Sequence, residues 1–357
     1  MSKNDGTLWV DRYRPTSLEK LDIHTDLTNQ LKKMCTSDNL PHLLFYGPSG
    51  AGKKTRVKAV LRSLFGASVE KVKVEHKAIK INTKTIEISI VSSSHHVEVN
   101  PSDVEFQDRV VVQEIIKEIA QSVPLDAGTA QKSFKVVVLH EVDKLSKDAQ
   151  HALRRTMEKY VATCRLILVC NSTSKVIDPL RSRCLPVRVP LPTIKEITST
   201  LQSIAKKEGV NLSTDLANRI AEQSGRNLRK AILSFEAAKV KQYPFAPNQV
   251  IERADWEDFI KQMADEISQE QSPQRLQLIR SRFYELLVHC IPPEIIMKNL
   301  TMELLGRVDT ELKYDVVKWA AHYEQRMQTG SKPIFHLEAF VAKFMSLYKQ
   351  FLSGLLE

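Results

Sequence analysis

The sequence predicts an α/β domain built on a parallel sheet with flanking helices, followed by a small helical domain and a second all-α domain. Two observations carry this prediction. Apolar strand-like runs alternate with helical stretches up to about residue 191, and strand signals are missing beyond that point. A chain of 357 residues has room for two or three domains of roughly 100 to 200 residues each. We therefore expect domains over residues 1–191, 192–241 and 242–357.

The first domain begins its sheet at Leu43–Tyr46, a short apolar run that is typical of a buried strand. A helix follows, with apolar residues at helical spacing until a glycine ends it. Two later strands, Val136–Leu139 and Leu166–Cys170, alternate with helices predicted over 109–122 and 146–161. This alternation is the pattern of a parallel sheet. The lysine-rich stretch from Lys53 to Lys84 is expected to be partly loop or merely solvated.

The second domain opens with a capping box formed by Thr193 and Glu196, followed by an apolar stripe that ends at Gly209. Two more helices are predicted around 214–224 and 226–241.

The third domain follows the stretch 242–250, whose two prolines predict a linker. Pro273 and Pro293 each begin a helix, since proline suits the first helical position. Apolar residues from Ile334 to Leu347 line the last helix.

Composition narrows the class of protein. Hydrophobic residues make up 42% of the chain and charged residues 26%, which is typical of a folded protein. Because no window holds the roughly 18 apolar residues of a membrane span, we expect no membrane association and a place in the cytosol or nucleus. The five cysteines lack zinc-site spacing, so we expect reduced thiols and no metal site. A net charge of +10 favours a polyanionic partner.

A glycine-rich loop joins the first strand to its helix. Its glycines let successive N–H groups surround phosphate oxygens, and Lys53 reaches the terminal phosphates. The next residue normally offers Mg²⁺ a hydroxyl, but it is Lys54, and Thr55 is rotated by about 100° from that position. ATP or ADP is predicted to bind along the loop, which consists of Gly47, Pro48, Ser49, Gly50, Ala51, Gly52, Lys53, Lys54 and Thr55.

The strand that ends at Leu139 also departs from the usual pattern. Nucleotide hydrolases place an Asp there to orient Mg²⁺ and then a Glu to activate water. Here Glu141 is the candidate catalytic residue, but His140 occupies the Asp position. We predict weak or absent magnesium binding and slow or no hydrolysis, because losing ~4 kcal/mol of transition-state stabilisation costs about 10³ in rate. The alternative is that Glu141 and Asp143 rearrange to hold the ion.

Seven motifs, in order, resemble one family over essentially the whole length. They are LWVDRYRP at 8–15, GPSGAGKKT at 47–55, HEVDKL at 140–145, QHALRRTMEKY at 150–160, the CNSTSK run from Cys170, SRC at 182–184 and GRNLRKA at 225–231. The chain resembles the small subunits of replication factor C, the eukaryotic sliding-clamp loader of the AAA+ class. This resemblance implies an AAA+ nucleotide-binding domain, a helical lid, and a C-terminal collar that holds five different subunits in a ring.

The resemblance also implies roles for single residues. The matching nucleotide contacts are Tyr13, Arg14 and Pro15 beside the adenine, Asn171 near the γ-phosphate and Arg229 on the lid. Arg183 matches an arginine finger, which enters the ATP site of the neighbouring subunit. The alternatives are a surface salt bridge for Arg183, a turn residue for Asn171 and a solvated helix face for Arg229.

Arg109, Gln113 and Lys117 lie four apart on the polar face of the predicted helix 109–122. Such a face suits phosphate contacts, and the resemblance implies sequence-independent tracking of primer-template DNA. The alternative is an ordinary solvated face.

The function implied is that of a nucleotide-holding, hydrolysis-poor subunit of the nuclear clamp loader. With four other subunits it would place the sliding clamp, proliferating cell nuclear antigen, on primer-template DNA. The resemblance also implies service in alternative loaders with other large subunits. The competing interpretation is a self-sufficient AAA+ motor, such as a DNA-dependent ATPase of the helicase type. The metal ligands separate the two, because a motor needs the hydroxyl and the carboxylate that Lys54 and His140 replace.

Overall fold

The computed structural model describes residues 6–37, 40–81, 84–101, 108–121, 134–161, 163–246, 249–330 and 332–354. Backbone contacts divide the chain into two compact units, Met1–Ile251 and Glu252–Glu357. None of the helices in these ranges is long and apolar enough to cross a membrane.

The first unit contains a mixed sheet, whereas a parallel sheet was expected. Its strands in the described ranges are β1 (Leu43–Tyr46), β2 (Lys73–Ile81), β3 (Lys84–Ser92), β4 (His96–Val99), β5 (Lys135–Leu139), β6 (Cys164–Cys170) and β7 (Leu185–Arg188). They lie in the order β2-β3-β4-β5-β6-β1-β7. The five strands from β4 to β7 in this order are parallel, which confirms the α/β prediction for this part. Strands β2 and β3 are antiparallel to each other, and β3 is antiparallel to β4.

Part of the lysine-rich stretch, residues 73–81, is a strand that the sequence analysis did not predict. This stretch is β2, which pairs with β3 from Lys73 opposite Ser92 to Ile81 opposite Lys84. Lysines suit it because β2 is an edge strand, where charged side chains block further pairing.

Helices cover both faces of the sheet because successive strand residues point to opposite sides. Leu168 of β6 packs in one apolar layer and its neighbour Val169 packs in the other. The helices before the lid are α1 (Trp9–Arg12), α2 (Thr25–Thr36), α3 (Lys53–Phe65), α4 (Asp108–Gln121), α5 (Lys147–Lys159) and α6 (Asp178–Arg181), and α1 packs against the lid rather than the sheet.

The lid completes the first unit with α7 (Ile194–Glu208), α8 (Thr214–Gln223) and α9 (Leu228–Lys241). The capping box of Thr193 and Glu196 is present, and Gly209 ends α7 with a φ of 67°. The end of the predicted linker packs with the lid, since Gln249 Nε2 donates to the Ala238 carbonyl at 3.1 Å and the next residues include Ile251, which is buried in the lid core.

The described residues of the second unit form helices joined by short turns, without strands. Its helices are α10 (Asp255–Gln269), α11 (Pro273–Val288), α12 (Pro293–Leu305), α13 (Thr310–Thr329) and α14 (Pro333–Gly354). Pro273 and Pro293 begin their helices as expected, and the Ser272 hydroxyl caps α11 by accepting from Arg275 N at 3.2 Å. The core includes Ile279 and Phe283 of α11, together with Phe340 from the predicted apolar stripe of the last helix.

Candidate nucleotide-binding site

The candidate site lies where three parallel strands end. Strands β5, β6 and β1 are neighbours, so the residues that follow them meet at one edge of the sheet. A cavity of about 870 Å³ lies there and extends to the lid. The predicted residues that line it are Tyr13, Arg14, Pro15, Ser49, Gly50, Ala51, Gly52, Lys53, Lys54, Thr55, Glu141, Asn171 and Arg229. Gly47 and Pro48 are outside this lining, although their carbonyls contact Lys53.

Two positions of the glycine loop require glycine, because each combines a positive φ with a close neighbouring atom. Gly47 has a φ of 145°, and a Cβ there would lie 2.0 Å from the backbone oxygen of Val189. Gly50 has a φ of 75°, and a Cβ there would lie 1.8 Å from Oδ1 of Asn227, the residue that caps α9. The loop therefore combines positive φ angles with close approach to β7 and the lid, which excludes larger residues.

Lys53 and Asn171 come together at the centre of the site. The Lys53 ammonium donates to the carbonyls of Gly47 and Pro48 at 2.5 and 2.9 Å, and to Asn171 Oδ1 at 2.9 Å. Burial lowers the pKa of Lys53 from its ordinary value. The Asn171 N–H donates to Asp143 Oδ2 at 3.0 Å, so the turn after β6 is tied to the segment after β5.

His140 is held by a carboxylate that sequence reasoning missed. Its Nε2 lies 3.2 Å from Glu98 Oε2, and His96 Nε2 lies 3.6 Å from Glu98 Oε1. Burial alone would raise the pKa of Glu98, but hydrogen bonds from His140 and His96 hold it well below its ordinary value. His96 is itself anchored, with Nδ1 2.6 Å from Ser93 Oγ. No signal in the sequence pairs Glu98 with His140, because the contact depends on β4 lying beside β5.

The residues at the usual metal-holding positions do not fit magnesium. Lys54 is exposed and carries an ammonium, and the imidazole of His140 faces Glu98. Asp143 does not line the cavity. Its Oδ2 accepts from the Asn171 N–H, and its Oδ1 is buried without a hydrogen-bond partner among the described residues. Glu141 does line the cavity, with its Oε2 2.7 Å from Lys144 Nζ. Within the described ranges there is no cluster of three or more His, Cys, Asp or Glu residues suited to a metal ion.

The charge of the cavity suits a polyphosphate. Its lining includes eight basic and three acidic residues. The basic residues that the sequence prediction missed are Arg12, Lys20, Arg56 and Lys207. Arg56 donates to the Ile23 carbonyl at 2.7 Å, and burial lowers its pKa to about 10. Its position three residues after Lys53 places it on the same helix face, which is the signal that would have found it.

Arg183 does not line this cavity. Its Nε lies 2.8 Å from Glu158 Oε1, and its NH1 donates to the Pro179 carbonyl at 2.8 Å. The salt bridge considered as an alternative for Arg183 is therefore present, and both partners are exposed.

The predicted DNA-binding residues lie on α4. Arg109 and Lys117 are exposed, Gln113 is half-buried, and the opposite face buries Ile115, Ile116 and Ile119. Lys117 Nζ lies 4.0 Å from Glu114 Oε1, so the polar face carries acidic as well as basic groups.

Comparisons with known proteins identify the family. Residues 256–352 match the family model "Replication factor C subunit 3, C-terminal domain", and residues 199–240 match "RCF1/5-like, AAA+ ATPase lid domain". Human "Replication factor C subunit 3" is 58% identical over 352 residues, which cover 98% of this chain and 99% of that protein. The chain belongs to the replication factor C subunit 3/5 family. Rice "Replication factor C subunit 5" is 57% identical over 97% of this chain and 98% of its own. The resemblance to the small subunits of replication factor C, drawn from the motifs, is confirmed.

The α/β part has wider relatives. Residues 23–193 match the family model "DNA polymerase III, delta subunit". The RuvB Holliday junction branch migration motor of Thermotoga maritima has a TM-score of 0.50 and 17% identity, covering 71% of this chain and 78% of that one. At this identity the likeness shows the fold alone, which is the α/β fold of AAA+ proteins. Nucleotide binding follows from this fold and from membership of the replication factor C family.

Proposed function

We propose that this chain is a small subunit of the clamp loader that holds ATP or ADP and hydrolyses it slowly or not at all. Assembled with four other replication factor C subunits in the nucleus, it would take part in placing the sliding clamp, proliferating cell nuclear antigen, on primer-template DNA. Service in alternative loaders with other large subunits belongs to the same proposal.

The observation that carries the proposal is the pairing of His140 with Glu98. The imidazole of His140 stands at the position of the metal-orienting carboxylate, and its Nε2 lies 3.2 Å from Glu98 Oε2. The glycine loop, Lys53 and Asn171 supply what phosphate binding needs, whereas the groups that would orient Mg²⁺ are replaced. Binding without efficient turnover follows from this combination. Glu141 would have its water-activating role only where a metal is held.

Arg183 is proposed to act in trans, at the nucleotide of the neighbouring subunit. Its ion pair with Glu158 is exposed, and such pairs are worth about 0 to 1 kcal/mol, so a phosphate competes easily for the guanidinium. A planar guanidinium stabilises the charge that develops during phosphoryl transfer, and a finger supplied in trans is worth about 10³ to 10⁵ in rate.

The test is Arg183→Ala in the reconstituted five-subunit complex, with DNA-stimulated ATPase and clamp loading measured together. We expect both to fall while nucleotide binding by this chain is unchanged. Arg181→Ala is the matched control, because Arg181 is also exposed and pairs with Asp178 on the same short helix. ATPase equal to that of the unmodified complex would refute the trans role.

The self-sufficient motor remains the competing function, and the RuvB likeness supports it only at the level of fold. Brisk phosphate release by the purified chain alone, at roughly 1 to 100 per second, would favour the motor.

A further inference from the structure

The N-terminal segment 8–15 forms one wall of the cavity, yet it is attached to the lid. Trp9 is only 4% exposed, with its ring 5.1 Å from that of Phe235 on α9. Its backbone N–H donates to Glu236 Oε2 at 3.0 Å. Residues 12–15 then line the cavity. The geometry of this wall therefore depends on how the segment is fixed to the lid.

Glu208 is the charged group that joins the segment to the lid. Its side chain is 6% exposed, and Oε1 accepts from Arg12 NH1 at 3.1 Å and from the Tyr13 hydroxyl. Its other oxygen lies 3.6 Å from Lys239 Nζ on α9. The hydrogen bond from Tyr13 is the main cause that lowers the pKa of Glu208.

The position of Glu208 is unfavourable for the helix that carries it. It is the last residue of α7, where the helix dipole disfavours a negative charge. Its contacts with Arg12, Tyr13 and Lys239 compensate for that position. Glu208 therefore does not stabilise α7, and its favourable interactions are those with Arg12 and Tyr13 of the N-terminal segment and with Lys239.

Both N-terminal partners of Glu208 belong to the cavity wall, whereas Glu208 does not line the cavity. The Tyr13 hydroxyl is fixed by the carboxylate, and Lys207 Nζ lies 5.6 Å from the centre of the Tyr13 ring. Fixing the hydroxyl end fixes the direction of the ring. The contacts that Lys53 makes with Gly47 and Asn171 involve neither Arg12 nor Tyr13 nor Glu208.

We propose that Glu208 is a positioning residue that sets Arg12 and Tyr13 for binding the nucleoside part of the nucleotide. The proposal rests on nucleotide binding at this site. It predicts a residue that governs affinity for a nucleoside triphosphate without governing affinity for the phosphates alone.

The test compares two probes on the full chain: a fluorescent ATP derivative, and inorganic tripolyphosphate, which lacks base and sugar. Glu208→Gln keeps the size of the side chain but removes its charge, and hydrogen bonds to charged groups are the stronger ones. We expect it to weaken binding of the ATP derivative about tenfold and to change tripolyphosphate binding less than about twofold. Glu222→Gln, an exposed change of equal charge on α8, is the control and should alter neither.

Tyr13→Phe provides a second variant that removes only the hydroxyl. It should also weaken binding of the ATP derivative, and the double variant with Glu208→Gln should be little weaker than either single change, because both remove the same contact. Equal loss for both probes would show a merely structural role and overturn the proposal, as would unchanged ATP affinity in both single variants. An unmodified chain that binds neither probe would instead refute nucleotide binding itself.

Discussion

Restoring the metal ligands tests why this site is predicted to hydrolyse slowly. The direct change is Lys54→Thr with His140→Asp, which returns the hydroxyl and the carboxylate of an active site. The structure adds a complication, because His140 faces Glu98 at 3.2 Å. An aspartate at position 140 would place a second carboxylate beside Glu98 and remove one of the hydrogen bonds that keep Glu98 ionised.

The size of this conflict follows from Coulomb's law. Two unit charges about 4 Å apart repel by about 4 kcal/mol at an effective dielectric constant of 20. That is a large share of the roughly 5–15 kcal/mol by which a domain is stable, so the double variant should be destabilised or should bind a proton between the two carboxylates. Either outcome removes the metal ligand that the change was meant to supply. Adding Glu98→Gln eliminates the repulsion and keeps the side-chain size.

We expect the triple variant to hydrolyse ATP about 10³ times faster than the unmodified chain if metal positioning is worth ~4 kcal/mol. The assay is magnesium-dependent phosphate release by this chain in the reconstituted complex, with the ATP sites of the other subunits inactivated. Glu98→Gln alone is the control and should give no gain, because His140 and Lys54 remain. A triple variant that is folded, binds ATP and shows no faster release would refute the argument that ligand loss silences the site.

Two further predictions concern stability and DNA. Burial lowers the pKa of His42 to about 4 from about 6.5, so the unfolded chain takes up this proton first as the pH falls. The contribution of neutral His42 to the free energy of unfolding is complete above pH 6.5 and is lost as the pH falls towards 4, with about 2 kcal/mol lost at pH 5. The free energy of unfolding of His42→Gln, measured in urea, should therefore depend less on pH. Charge reversal at Arg109 and Lys117 should lower the salt slope of loader binding to primer-template DNA by about two. Reversal at exposed Lys298 and Lys313 is the control, and an equal slope in all complexes would count against the α4 contact.

Much of the fold was predictable because local signals agreed with the tertiary structure. The first strand matches Leu43–Tyr46, and α7 begins at its capping box and ends before Gly209. The antiparallel pair β2 and β3 was not predicted, because β2 is an edge strand whose lysines give it the polar composition of a loop.

The site was only partly predictable, since motifs identify residues but not their partners. The glycine loop, Asn171 and Arg229 were placed at the cavity by matching motifs. Glu98 and Glu208 were missed because each acts on residues distant in the sequence, 42 positions away for His140 and 195 for Tyr13. Such contacts depend on the order of strands and on the docking of the lid, which neither periodicity nor spacing reports.

The hydrogen bonds that Lys53 makes within the protein affect which ligands the site can bind. An ammonium has three protons, and those of Lys53 have three acceptors in Gly47, Pro48 and Asn171. An incoming phosphate oxygen must displace one of these acceptors. The hydrogen bond that it forms with Lys53 therefore replaces one that the protein already makes, and adds little net binding free energy. Ligands with a single phosphate are therefore at a disadvantage, whereas a chain of phosphates offers enough charge to win the exchange. We therefore expect the site to bind inorganic phosphate more weakly than a chain of phosphates, independently of any contact with the base.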